Sequence, residues 1–226
     1  MIITFSGTDG VGKSTQIVNA MKLLKSKGIE FRVQYVRGGN TPVIQTFRRA
    51  TSRGSHVRLV NNIIIRTIGI AISWIELAYY WGIQLRLLNK PHRFVLCDRY
   101  LWDTYVDLKC KYPEQRETSL LWRILEKIVP PPDASILYIA SAEQIAERLR
   151  QKEEPFSMSE IESALEQYVS LRNKFNCIVD TSEDSNTVFE NTLSLIMNLD
   201  QQRNQIESIL DLHLQSVNYQ NNTTDD

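Results

Sequence analysis

The segment Gly7-Thr8-Asp9-Gly10-Val11-Gly12-Lys13-Ser14 satisfies the pattern G-x-x-x-x-G-K-[ST] at every fixed position. Its chemistry is phosphate binding. The glycines let backbone N–H groups curl around a phosphate, and the N-terminus of a following helix adds a favourable field. Lys13 would reach the β- and γ-phosphates of a nucleotide, and the Ser14 hydroxyl would hold Mg²⁺. Thr8, Asp9, Val11 and Thr15 complete the stretch expected to bind ATP. Asp98 stands after an apolar run and is a candidate second acidic group for Mg²⁺; the alternative is a helix cap or a salt bridge to Arg99. Arg99 could clamp a phosphate bidentately. Arg37, before Gly38-Gly39, is either a phosphate ligand or a surface arginine. Arg148, Arg150 and Lys152 form a basic cluster before Glu153-Glu154-Pro155, readable as a lid supplying cations or as a solvated helix face.

These residues need elements to position them. Ile2-Ile3-Thr4-Phe5 reads as a buried strand leading into the loop, and Ile17, Met21 and Leu24 mark one face of the helix leaving it. Phe31, Val33 and Tyr35 alternate with polar residues in a half-buried strand after the Gly28 helix stop. Phe94-Val95-Leu96-Cys97 and Ile136-Leu137-Tyr138-Ile139 are wholly apolar strands, and Cys177-Ile178-Val179 a last short one. Helical patterns separate them: one runs to Val129 before the break Pro130-Pro131-Pro132, one from Ala142 to about Lys152, one from Met158 to Phe175, and one from Asn186. Strands spaced by helices predict an α/β fold, a parallel sheet covered on both faces. In such a sheet ligands sit beyond the carboxyl ends of the strands, where Asp98, Arg99, Arg37 and the loop all fall.

The 226 residues suit one α/β domain. Lysine plus arginine and aspartate plus glutamate each number 26, a balance that argues against a nucleic-acid binder. Cys97, Cys110 and Cys177 form no C-x-x-C pair, which suits a reducing cytoplasm. The chain opens directly into a strand with no signal segment, so a cytoplasmic protein is expected. The apolar stretch from Leu59 to Leu88 is divided by Arg66, Glu76 and Arg86 into pieces shorter than the roughly 20 residues of a membrane span. A long core helix, or two, is expected there, greasy enough to be a homodimer face. Past Asp200 the pattern weakens to an extra helix, with a polar tail from Asn218 expected to be disordered.

Several of these stretches together resemble the thymidylate kinases, within the nucleoside monophosphate kinase group. Ile3 to Gln16 is similar to their opening, and Val95-Leu96-Cys97-Asp98-Arg99-Tyr100 to their second signature. Pro132 to Tyr138 resembles the strand before their lid, Ala146-Glu147-Arg148-Leu149-Arg150 the opening of the lid, and Val179-Asp180-Thr181-Ser182 the loop beside their adenine pocket. The resemblance covers residues 1–199, with a lid at about 142–158, and leaves 200–226 as a C-terminal extension. It implies a P-loop NTPase fold with a five-stranded parallel sheet, and Mg-ATP-dependent phosphorylation of a small-molecule acceptor. Carried over, Lys13 and Ser14 bind ATP and Mg²⁺, Asp9 faces the acceptor sugar, Asp98 and Arg99 lie between donor and acceptor, and Arg148 lies over the adenine or the moving phosphoryl. Some members carry a catalytic arginine where this chain has Gly10, so here the cation is expected from the lid, from Arg148 and Arg150.

The departures fall on the acceptor side. The family holds the acceptor phosphate with an arginine before Pro-Gly-Gly; here the loop reads Tyr35-Val36-Arg37-Gly38-Gly39, without the proline. An arginine of the long helix is replaced by the stretch around Glu76. Paired serines and Ala-Tyr-Gln, which read thymine, become Asp103-Thr104 and Val106-Asp107-Leu108. Asp9, Glu76, Asp103 and Asp107 make this side acidic, with Arg37, Arg99 and Thr104 as the other expected acceptor contacts. Carboxylates accept hydrogen bonds from hydroxyls and amines but repel phosphate. The acceptor is therefore a nucleoside monophosphate, dTMP by resemblance, or a hydroxyl compound such as a sugar or polyol. A catalytically degenerate nucleotide-binding regulator is the remaining alternative, against which intact Lys13, Ser14 and Asp98 argue. A GTP switch would carry Asn-Lys-x-Asp, and Asn89-Lys90-Pro91-His92 lacks the acid.

Overall fold

The computed structural model describes residues 1–35, 78–89, 93–111 and 118–196. Five strands form one parallel sheet: β1 (Ile2–Ser6), β2 (Phe31–Tyr35), β3 (Phe94–Asp98), β4 (Ala134–Ile139) and β5 (Cys177–Asp180), in the order β2-β3-β1-β4-β5. The central β1 is buried along its whole length, which is why its run of Ile2-Ile3-Thr4-Phe5-Ser6 does not alternate in polarity as an edge strand would. β2, at one edge, keeps the alternation.

Helices cover both faces. On one face Ile3, Phe5, Leu96, Ile136 and Tyr138 pack against Ile17 and Leu24 of α1 (Lys13–Ser26) and Val188 of a C-terminal helix, α7, over residues 185–196. On the other, Ile2, Val95 and Cys97 meet three helical segments. These are a π-helix at Ala78–Gln84 continuing into α2 (Leu85–Leu88), α3 (Leu101–Lys111) and α4 (Thr118–Ile128). Trp81, Leu101, Trp122 and Leu125 fill that layer. The π-helix is the described end of the apolar stretch expected to be helical; Gly82 lets it approach α4 so closely that a Cβ there would lie 2.6 Å from Ile128 Cγ2. Pro130-Pro131-Pro132 follows α4 and cannot continue it.

The segment expected to form a lid contains α5 (Ala142–Gln151), joined by a short turn to α6 (Met158–Ser170) and a 3-10 turn at Arg172–Lys174. Ser141 starts α5 with a reciprocal cap: its Oγ accepts from Gln144 N–H, and Gln144 Oε1 accepts from Ser141 N–H, both at 3.3 Å. Ile145, Ala146 and Leu149 bury the inner face of α5 against Ile161 of α6. The expected loop at 37–42, the region of Glu76 and the extension 200–226 lie outside the described residues.

Candidate active site

The phosphate loop connects the carboxyl end of β1 to α1. Three of its glycines have positive φ: Gly7 (136°), Gly10 (81°) and Gly12 (104°), conformations that side chains resist. Gly7 is also wedged, since a Cβ there would lie 2.5 Å from the Tyr138 carbonyl oxygen. Above Gly10 stands α5, the expected lid helix, and a Cβ at position 10 would lie 2.9 Å from Leu149 Cγ and 3.2 Å from Ile145 Cγ2. α5 therefore rests directly on the loop.

Lys13 curls back and donates through Nζ to the carbonyls of Gly7 and Thr8, each at 2.7 Å. Burial, with the Arg99 charge adding to it, lowers its ammonium to about 8, against the pull of Asp103, Asp9 and Asp98. Asp98 ends β3 beside it. Burial raises the Asp98 carboxyl, while Lys13 and Arg99 hold it down. Arg99 follows in the left-handed region at φ 72°, with its N–H donating to Phe5 O at 3.0 Å. That conformation is uncommon outside glycine and turns the chain sharply out of β3. The guanidinium then bonds Asp9 of the loop and lies 3.6 Å from Asp107 of α3. Burial works against its charge, but Asp103, Asp107 and Asp9 more than offset this and raise its pKa.

Between these groups opens a cavity of about 320 Å³. Its walls are Asp9 and Gly12 to Thr15 of the loop, Asp98 and Arg99, Tyr35 at the end of β2, and Lys152 and Glu154 just after α5. The Ser14 hydroxyl and the Asp98 carboxylate front the same space, an oxygen donor set that suits Mg²⁺ completed by phosphate and water.

The other expected site residues lie elsewhere. Arg148 donates to Thr181 Oγ1 at 2.9 Å, to the Thr181 carbonyl and to Val11 O at 3.3 Å, so it ties the lid helix to the loop after β5 rather than pointing into the cavity. Arg150 is 66% exposed and pairs with Glu147 within its own helix. Asp103, expected on the acceptor side, is 0% exposed beneath the loop, and Thr104 is buried beside it. Arg37 and Glu76 are outside the described residues. Conversely Lys152, the third member of the basic cluster, lines the cavity, together with Tyr35 and Glu154, which are not among the expected ligands. Spacing alone does not select Lys152 from the cluster, since Arg148, four residues earlier, turns to Thr181 instead.

A nucleotide-sized cleft over a glycine loop, on the middle strand of a parallel sheet and faced by an acid from the next strand, makes this a P-loop kinase. The sequence model described as "Thymidylate kinase" matches residues 5–202, and the chain belongs to the thymidylate kinase family. Solved structures share its fold. One is a thymidylate kinase from Candida albicans described as having broad substrate specificity and a novel structural element. It is 18% identical with a TM-score of 0.61 over 87% of this chain and 91% of that one. Another is a thymidylate kinase from Ehrlichia chaffeensis, 17% identical with a TM-score of 0.52 over 87% of this chain and 98% of that one. No curated protein matches the chain. Among the described residues no helix is long and apolar enough to cross a membrane.

Proposed function

We propose that the chain transfers the γ-phosphoryl group of ATP, with Mg²⁺, to a nucleoside monophosphate, and that dTMP is a poor acceptor. The observation that carries this is the shared cavity: Lys13, the adjacent Asp98 and Arg99, and Lys152 reach one space from three separate segments. The family's use of ATP supports the donor assignment. A cytoplasmic setting agrees with three free cysteines.

In this reading the reaction is an in-line displacement driven by positioning and charge neutralisation. Lys13 exchanges two backbone carbonyls for phosphate oxygens, and the added negative charge favours its ammonium form. Ser14 and Asp98 would hold Mg²⁺, which would supply charge neutralisation to the transferring phosphate when bound. Arg99 stands where donor and acceptor meet. Lys152 brings a cation from the lid, the role left vacant in the loop by Gly10. Arg148, fixed by Thr181, fits the adenine side. A phosphate acceptor needs no strong base. A hydroxyl acceptor would need one, from Asp9 or Asp98. The second reading, a sugar or polyol acceptor, draws on the engagement of Arg99 by Asp9 and Asp107, which leaves its side of the cavity acidic.

The lid assignment separates three alanine variants. Lys152→Ala is expected to lower kcat roughly 10-fold or more with little change in KM for ATP, as for a group acting mainly in the transition state. Arg148→Ala should raise KM for ATP, and Arg150→Ala should leave both constants within twofold or so, as for an exposed ion pair. Equal effects of Lys152→Ala and Arg150→Ala on kcat would sink the assignment.

The acceptor is tested by steady-state turnover of dTMP, other nucleoside monophosphates, and sugars or polyols with ATP. Another nucleoside monophosphate should be used best, because a site that has lost hydrogen-bonding groups for one base discriminates against it. Turnover of dTMP with kcat/KM on the order of 10⁵ M⁻¹s⁻¹ or better would restore dTMP as the substrate. Preference for a polyol would establish the second reading.

A further inference from the structure

Asp103 occupies the position where the resembled family carries the first of its paired serines, and the structure uses it in a way a serine cannot reproduce. The carboxylate is fully buried. Burying an ionised group is costly unless its oxygens are hydrogen-bonded. Here Oδ1 accepts from Gly7 N–H at 3.1 Å and from the Tyr168 hydroxyl at 2.7 Å. Oδ2 accepts from Ser6 Oγ at 2.6 Å and from Tyr100 N–H at 2.8 Å. A carboxylate offers about four lone-pair directions, and four donors occupy them. No acceptor capacity is left for a substrate.

The donors come from separate parts of the fold. Ser6 ends β1, Gly7 opens the phosphate loop, Tyr100 lies in the turn after Arg99, and Tyr168 belongs to α6, the helix that follows the lid. Burial, and next the Asp103 charge, hold the Tyr168 phenol protonated and therefore donating. One buried side chain thus joins the donor loop, the Asp-Arg segment and the lid's supporting helix.

We infer that Asp103 is a positioning residue for the phosphate loop, holding Gly7 and Ser6 in place from behind and linking them through Tyr168 to α6. It acts on ATP through the loop and touches neither substrate. The inference rests on the loop being the donor site and is independent of which acceptor is used.

The test compares Asp103→Asn, Asp103→Ser and Tyr168→Phe in the full chain. It uses amide hydrogen exchange, ATP titration without acceptor, and steady-state kinetics with the best acceptor of the panel. Asparagine keeps one carbonyl acceptor, and its amide can donate to the one rotatable hydroxyl on its own side, Ser6 or Tyr168, but leaves the backbone N–H there without an acceptor, so it should retain part of the function. Expected are faster exchange in residues 7–14, with β4 and β5 unchanged, and a rise in the ATP Kd. The rise should be about 10-fold for serine, as for loss of hydrogen bonds to a charged group, and smaller for asparagine and Tyr168→Phe. KM for the acceptor should move less than about twofold, the acceptor having no contact with Asp103. If Asp103→Ser fails to fold, asparagine and Tyr168→Phe carry the same comparison. A raised acceptor KM with unchanged ATP affinity would overturn the inference, as would unchanged loop exchange in folded variants. Wild-type protein that binds no ATP would end the kinase reading, while loop exchange in the variants would still decide the role of Asp103.

Discussion

Lys13→Ala is expected to reduce phosphoryl transfer by about 10³-fold or more, the loss associated with a preorganised charge aimed at a transferring phosphoryl group. The structure gives the reason for both the size and the specificity of the effect. Among the described residues, the cavity's cations are Lys13, Arg99 and Lys152. Arg99 is already shared with Asp9 and Asp107, and Lys152 reaches the cavity from the segment just after α5. Only Lys13 rises from within the loop itself. Its present partners are two backbone carbonyls at the open end of the sheet, which water can satisfy once the side chain is gone. The fold should therefore survive, with thermal melting near that of the parent. Steady-state rates at saturating ATP, alongside a melting curve, check both halves. A variant that keeps a near-normal rate would mean that the donor does not sit on this loop.

Gly7→Ala should be the most damaging single-methyl change in the loop. Its φ of 136° already disfavours a side chain, and the added Cβ would lie 2.5 Å from the carbonyl oxygen of Tyr138 and 3.1 Å from Val11 Cγ1. The first of these is backbone within β4, a strand paired to β1 and β5, so it has no rotamer by which to move away. Relief must come from the loop, which would carry Gly7 N–H off Asp103. A cost of about 2–4 kcal/mol is expected, together with a loss of ATP binding of roughly 100-fold. Gly12→Ala is the internal control: φ is also positive there, at 104°, but nothing lies within 4 Å of the added methyl. It should cost only the backbone preference, about 1–2 kcal/mol. Urea unfolding of the two variants, with ATP titration, makes the comparison. Equal destabilisation would show that the Tyr138 clash is absorbed at no cost.

The parallel sheet and its helices were legible because apolar runs and glycine or proline punctuation fall where strands and breaks occur. Ile2 to Phe5, Phe94 to Cys97, Ile136 to Ile139 and Cys177 to Val179 all lie in strands. The loop was legible because the positive φ at Gly7, Gly10 and Gly12 calls for glycine whatever else packs there. What the sequence concealed depends on side-chain direction. Asp103 reads as one more carboxylate on an acidic wall, yet it faces inward, because its donors come from Ser6, Gly7 and Tyr168, far away in the chain. Arg148 and Arg150 read as equivalent lid cations. Two residues apart on a helix, they point to different sides: Thr181 holds one, and solvent surrounds the other. The helix expected from Met158 to Phe175 instead ends at Ser170 and gives way to the 3-10 turn at Arg172–Lys174.

The seating of Leu149 and Ile145 on Gly10 constrains how such a kinase can change over generations. Relatives that carry an arginine at this position obtain a cation from the loop. In this chain the room for that side chain is taken by two buried residues of the lid helix. A mutation to arginine here must displace the Leu149 and Ile145 side chains and adopt a φ of 81° that side chains resist, and so disturbs the contact by which α5 sits on the loop. Trimming Leu149 first would loosen the lid with nothing gained. If Lys152 has the role proposed for it, gaining a loop cation weakens the segment that carries the other one, and position 10 and the helix above it are expected to change together rather than singly.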